Sequence, residues 1–452
     1  MTSHVPLSRA AFPADFTFGV ATASYQIEGA IAADGRVPSI WDTFSATPGA
    51  VVGGDTGEIA CDHYHRYPAD VTLMRDLGVD AYRFSLAWPR ILPVAGGAPN
   101  PSGIAFYDRV LDELLAAGIT PWATLYHWDL PQQIEDAGGW PVRDTAYRFA
   151  EYAAVAADAL GDRISHWITL NEPWVAAFLG YAAGVHAPGR TDHAAAIRAA
   201  HHLMLGHGLA MQVLRERVPQ GSHGITLNLT PIEAQGGRDI HAEAVRRVDG
   251  MANRIFLDPI LRGTYPADML ADTAHVLDQS HVHDGDLELI SAPIDFLGIN
   301  YYFPTVVASG VYPGSAAVGM GAHNRPRTAM GWEVDAEAMT RMLTRVRDDY
   351  GDVPIYITEN GSAWDDVVSA DGGVHDAQRL AYLQDHLAAC LDARAAGVDL
   401  RGYFAWSLLD NFEWAEGYAK RFGIVHVDYA TQERTVKASG RWYADFLTGD
   451  ER

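Results

Sequence analysis

The sequence predicts an α/β protein, a single-domain (β/α)8 barrel over residues 1–452, with its working residues at the carboxyl ends of the strands. Three observations predict this. Eight short runs rich in β-branched and aromatic residues alternate with Ala-rich amphipathic segments, the pattern of a parallel sheet whose outer face is covered by helices. No Pro/Gly/Ser-rich stretch divides the chain. The Gly-x-Gly-x-x-Gly pattern that would open a nucleotide site in an open doubly wound sheet is absent after the first strand.

In order, the strand-like runs are 16–20 (FTFGV), 81–86 (AYRFSL), 120–126 (TPWATLY), 166–170 (HWITL), 224–229 (GITLNL), 295–301 (DFLGINY), 354–358 (PIYIT) and 401–407 (RGYFAWS). Each is too short for a typical helix and too continuously apolar for a strand with one wet face. Between them, 104–117, 145–160, 194–217, 333–349 and 377–396 carry apolar residues at helical spacing. Gly118 after Ala116-Ala117, and Gly397 after Ala395-Ala396, stand where helix C-caps are expected, directly ahead of a strand.

Composition narrows the function. The net charge of −24 disfavours nucleic acid and anionic membrane surfaces, both polyanions, as partners. No apolar run reaches the 18 residues of a membrane span, and residues 1–13 do not resemble a signal peptide, so a cytoplasmic location is expected. Cys61 and Cys390 are too few for a disulfide framework and read as buried apolar residues. No cofactor or metal is expected. His63, His65, His201, His202 and His207 lack zinc-site spacing, and His281 and His283 read as loop. Oligomerisation of the chain with itself stays open.

Barrel chemistry gathers at strand ends, and these positions are unusually polar. Gln26 follows the first strand and Arg83 lies in the second. The third ends in His127-Trp128-Asp129, the fourth in Asn171-Glu172-Pro173, the sixth in Asn300-Tyr301-Tyr302 and the seventh in Glu359-Asn360-Gly361; the eighth leads through Trp406 to Glu413-Trp414. Amides, imidazole and carboxylates bind hydroxyls, and indole and phenol faces pack on sugar C–H surfaces. Strands 4 and 7 lie across the ring, so Glu172 and Glu359 are placed to flank one sugar. Cleaving a glycosidic bond needs such a pair, about 5–5.5 Å apart in a retaining enzyme. At that distance two charges repel by roughly 3 kcal/mol at an effective dielectric near 20, enough to keep one carboxyl protonated near neutral pH.

From Phe16 to about Phe446 the sequence resembles family 1 glycoside hydrolases. Thr169-Leu170-Asn171-Glu172-Pro173 matches the family's acid/base motif, Ile357-Thr358-Glu359-Asn360-Gly361 its nucleophile motif, and Phe16 to Gly29 (FTFGVATASYQIEG) its amino-terminal signature. The resemblance implies a TIM barrel that hydrolyses β-glucosides and cello-oligosaccharides with retention, with side activity on galactosides or fucosides and some transglycosylation. It further implies that Gln26, His127, Trp406 and Glu413 hold the hydroxyls of the non-reducing sugar, that Asn171 binds the 2-hydroxyl, and that Arg83 and Tyr302 hydrogen-bond Glu359 with Asn300 in support. Trp414 would add a donor and an aromatic wall, and Trp332 a platform for the leaving group. Trp174 and Leu179 would narrow the leaving-group side with apolar surface and weaken inhibition by glucose. Ala87, where many members carry Ser, departs from the pattern away from this chemistry.

Three rival functions lose ground on single residues. A non-catalytic sugar-binding barrel would lack one of the two glutamates. A Schiff-base aldolase needs a lysine at a strand end, yet the only lysines, Lys420 and Lys437, follow the last strand. A 6-phospho-β-glycosidase needs a cationic pocket where Glu413 would repel the phosphate.

Overall fold

A computed structural model describes residues 7–310 and 318–449. Eight parallel strands close into a barrel: β1 (Thr17–Ala21), β2 (Ala81–Ser85), β3 (Thr120–Tyr126), β4 (His166–Asn171), β5 (Ser222–Asn228), β6 (Phe296–Asn300), β7 (Ile355–Asn360) and β8 (Leu400–Trp406). Closure comes from β1 pairing with β8, from Thr17 opposite Gly402 to Ala21 opposite Trp406. Each predicted strand lies within two residues of an observed one. The ring places β4 and β7 three positions apart, close to opposite. Inside the barrel, Trp122 stacks on His166 at 4.0 Å and meets Phe296, Tyr356 and Phe404 edge-on, which plugs the interior beneath the mouth.

The predicted helices form at Pro101–Ala116, Asp144–Leu160, His193–Arg217, Ala336–Tyr350 and Ala377–Ala395. Two begin elsewhere than periodicity indicates. Pro101 takes the first position of its helix, where its missing N–H costs nothing. The segment expected to be helical from 333 starts at Ala336, because Asp335 caps it by accepting from the Ala338 N–H, while Glu333 turns out to pair with Arg327. Gly118 and Gly397 have positive φ, as their capping places require.

Three excursions from the barrel escape the periodicity. Ile232–Ala234, Thr305–Ser309 and Val318–Met320 form a small sheet outside the ring. Val425–Asp428 and Glu433–Val436 form an antiparallel pair after β8, followed by the helix Ala438–Thr448. Directly after β4, Val175–Ala183 winds as a π-helix, a form frequent at functional sites.

Candidate active site

The mouth is assembled around Arg83. Buried at 1% exposure, it donates from Nη1 to Glu359 Oε1 at 2.5 Å and from Nη2 to Asn171 Oδ1 at 2.6 Å. Its β2 position aims it up the barrel axis, and a third contact to Thr124 Oγ1 fixes its stem. Tyr302 OH donates to the other oxygen of Glu359, Oε2, at 2.6 Å. Glu359 is thus gripped at both oxygens by a cation and a phenol.

Glu172 has different company. Asn300 Nδ2 donates to its Oε1 at 2.6 Å. The same amide reaches Asn171 Oδ1 at 3.1 Å. Asn300 is held in turn by Thr358 Oγ1, which donates to its Oδ1. Burial raises the Glu172 carboxyl to about 8, the negative charge of Glu359 adds to the rise, and the Asn300 amide opposes it. Burial raises Glu359 too, but Arg83 and Tyr302 pull it back toward the carboxylate. Both carboxyls are thus raised by burial, and only Glu359 has a cation and a phenol opposing that rise.

The backbone at Glu172 is unusual. Its φ is +47°, a left-handed conformation that side chains with a Cβ rarely adopt and that costs on the order of 1–3 kcal/mol. Its N–H is tied to Thr226 O at 3.0 Å, and the π-helix begins three residues on. Trp128 and Trp414, also at the mouth, share a positive φ. Gly361 serves the opposite strand end: a Cβ there would lie 1.7 Å from Trp406 O, so only glycine lets the turn after β7 pass β8.

One wall is polar. Asn171 Oδ1 already accepts from Arg83 and Asn300, so its Nδ2 is the donor to His127 Nε2 at 3.1 Å. Burial and the Arg83 charge keep that imidazole neutral, which leaves its proton on Nδ1. Gln26 Nε2 donates to Asn411 Oδ1 and Phe412 O, both at 2.9 Å, and comes within 3.5 Å of Glu413 Oε2. Gln26 Oε1 is buried and has no partner among the described residues, a ready acceptor for a hydroxyl. Glu413 is half-buried, and burial and the Glu359 charge raise its carboxyl.

The other walls are aromatic. His127 lies nearly parallel to Trp406 and Trp414, each at 5.9 Å, and Trp414 packs on Trp128 at 4.5 Å and Trp41 at 4.6 Å. Trp332 is half-buried against Tyr302 at 5.4 Å, Phe303 at 4.8 Å and Phe422 at 5.8 Å, on the side of Glu359. Trp174 lies 5.8 Å from Phe178 on the π-helix, and Leu179 is half-buried on the same turn.

The strand-end residues given roles therefore share one mouth, whereas Asp129 accepts from Ser24 Oγ, Tyr301 OH donates to Asp335 O and Asn360 donates to Tyr301 O, away from the two glutamates. Glu28, close to Gln26 in sequence, points away to Arg90 and Tyr107. Sequence reasoning missed Asn411, which holds Gln26, and named Trp128 at its strand end without giving it the role it has, backing Trp414 and donating to Asn171 O. Trp128 stands beside His127 in the sequence, and that adjacency was its signal.

A closed parallel barrel with paired carboxyls, amides and aromatic walls at its mouth defines a glycoside hydrolase that works through two carboxyl groups. The chain belongs to glycosyl hydrolase family 1, whose family model matches residues 8–451. It is 52% identical over 440 residues to the thermostable β-glucosidase B of Thermobispora bispora, covering 96% of this chain and 90% of that one. It is 49% identical to β-glucosidase A of Thermotoga maritima (96% and 97% covered) and to a bifunctional β-D-glucosidase/β-D-fucosidase of Bifidobacterium breve (96% and 98%). The solved family 1 β-glucosidase of Thermotoga maritima superposes with a TM-score of 0.93 at 49% identity, covering 97% of this chain and 99% of that one.

Proposed function

We propose that this chain is a retaining β-glucosidase that releases terminal β-D-glucosyl residues from β-glucosides and cello-oligosaccharides, with Glu359 as nucleophile and Glu172 as acid/base. The carrying observation is the unequal treatment of the two carboxyls: Glu359 is held by Arg83 and Tyr302, and Glu172 by a neutral amide. A nucleophile must be ionised and a general acid protonated before the first step.

In that step Glu359 attacks the anomeric carbon while Glu172 gives its proton to the departing glycosidic oxygen. The product is a glucosyl ester of Glu359 and a free alcohol. Esterification removes the charge that kept Glu172 protonated. Glu172, now ionised, takes a proton from water as the water oxygen attacks the anomeric carbon from the face the alcohol left. Glu359 departs as carboxylate and the β-configuration is kept. An acceptor alcohol in place of water gives transglycosylation. Gln26, His127, Trp406, Glu413 and Trp414 would bind the glycone, Asn171 the 2-hydroxyl and Trp332 the leaving group. The named activities of the relatives support glucosides first and fucosides second.

Two buried, unpaired cysteines suit a cytoplasmic setting, and among the described residues no helix is long and apolar enough to cross a membrane. The test is a 2-deoxy-2-fluoro glucosyl donor with a good leaving group. The expected result is time-dependent inactivation with the label on the peptide bearing Glu359. A label on Glu172, or none with turnover unaffected, overturns the assignment.

A further inference from the structure

The protein has two lysines, and Lys437 is wholly buried at 0% exposure. It stands between the strand Glu433–Val436 and the last helix, far in sequence from the catalytic glutamates. Its Nζ donates to Asp366 Oδ2 at 2.5 Å and to Asp410 Oδ1 at 2.6 Å. Asp366 also receives Arg379 from both guanidinium ends, and Arg379 pairs with Asp376. Asp410 receives Arg421 Nη1 at 2.8 Å and the Gly423 N–H at 3.0 Å. Three carboxylates and three cations thus form one neutral, mostly buried network. It ties the loop after β7 to the loop after β8 and to the start of the last helix.

The loop after β8 is the part that bears on the reaction. Residues 407–413 contain no helix and pair only through an isolated bridge at Leu409. Their path is set by a few backbone bonds, such as Phe412 N to Gln26 O at 3.1 Å, and by what grips Asp410. Gly423 permits that grip: a Cβ there would lie 2.1 Å from Asp410 N. Asn411, the next residue, holds Gln26 through its Oδ1, and Glu413 is three residues on. Lys437 is therefore one residue removed from the Gln26–Asn411 contact and three from Glu413, without touching either.

We propose that Lys437 is a positioning residue for sugar selectivity: by tethering Asp410 to Asp366 it sets where Gln26 and Glu413 stand, and so how strictly the enzyme reads the glycone. This rests on the reading of Gln26 and Glu413 as glycone-binding groups. Replacing Lys437 leaves the network one negative charge in excess in a buried place, a strongly unfavourable state that the Asp410 loop can relieve by shifting. The carboxylate of Glu413 then loses its aim at the sugar hydroxyls, while Glu172, just after β4, and Glu359, on β7, stay held by Asn300, Arg83 and Tyr302.

The test is the ratio of kcat/KM on nitrophenyl β-glucoside to that on nitrophenyl β-fucoside, sugars that differ at carbons 4 and 6. A variant that is merely less folded loses both activities together and keeps the ratio. Lys437→Met is expected to lower the ratio by about tenfold, the size of one lost hydrogen bond to a charged group, with the pH profile unchanged. If Lys437→Met is poorly folded, Lys437→Met/Asp410→Asn restores neutrality without the tether and is expected to show the same fall. Glu413→Gln is the control for the underlying reading. If it leaves the ratio unchanged, Glu413 is not a glycone group and that reading fails. If it lowers the ratio while both Lys437 variants keep the wild-type value, the role of Lys437 is overturned.

Discussion

Replacing Glu359 by Gln removes one negative charge and little else, and its effect on Glu172 can be worked out. The Glu359 charge adds to the rise at Glu172, and the two carboxyls of a retaining pair stand about 5–5.5 Å apart. At an effective dielectric near 20 their repulsion is ~3 kcal/mol, or about 2 pKa units. Burial and that repulsion together raise Glu172 to about 8. In Glu359→Gln the burial remains and the repulsion goes, so Glu172 is expected to titrate near pH ~6, still above an exposed glutamate. The sign follows from the charge: removing a neighbouring anion makes a second anion easier to form. The assay is titration of carboxyl-labelled ¹³C-glutamate by NMR in wild type, Glu359→Gln and Glu172→Gln, the last identifying the resonance. The wild-type value should also appear as the alkaline limb of kcat/KM, because the free enzyme loses its acid as Glu172 ionises. A Glu172 resonance that titrates at the same pH with and without Glu359 would refute the coupling, and with it the claim that esterification converts the acid into a base.

Two further outcomes follow. Glu172→Ala is expected to lose about 10²–10⁴ in kcat on cellobiose, whose leaving group needs a proton, far less on dinitrophenyl glucoside, and to recover turnover with azide as β-glucosyl azide; equal losses on both substrates with no azide effect would contradict the role. Wild type is expected to be only weakly inhibited by free glucose, because Trp174 and Leu179 offer its hydroxyls few partners, and Leu179→Ser should tighten inhibition several-fold in initial-rate assays; strong wild-type inhibition at low millimolar glucose would end that idea.

The barrel was legible because its signal is local and repeated. Buried parallel strands such as Thr120–Tyr126 must be apolar on both faces, and helices such as Asp144–Leu160 must show a stripe. The mouth was legible because strand ends converge wherever a barrel closes, so Glu172, Asn300 and Glu359 could be grouped without knowing any distance. Three kinds of feature were not. The left-handed backbone at Trp128, Glu172 and Trp414 is imposed by tertiary contacts against local preference, and nothing in those residue types announces it. The π-helix after β4 consists of ordinary apolar residues whose winding depends on what they pack against. The network around Lys437 joins Asp366, Asp376, Arg379, Asp410 and Arg421, and only the folded chain brings them together. Even Trp128, named beside His127, was given no role, because an indole that braces another indole looks the same in a sequence as one that fills a core.

The mutual repulsion of Glu172, Glu359 and Glu413 has a consequence at the bench. A small polyhydroxylated ammonium ion combines the hydroxyl pattern of a sugar with the charge this pocket lacks, and hydroxylated amine buffers have that character. Such a buffer is expected to compete with substrate, most strongly where the carboxyls are ionised and the amine is still protonated. Inorganic phosphate and other anions meet repulsion instead. Rates compared across laboratories, or across the two limbs of a pH profile, describe the same enzyme only when the buffer cation is held fixed and kept bare of hydroxyls.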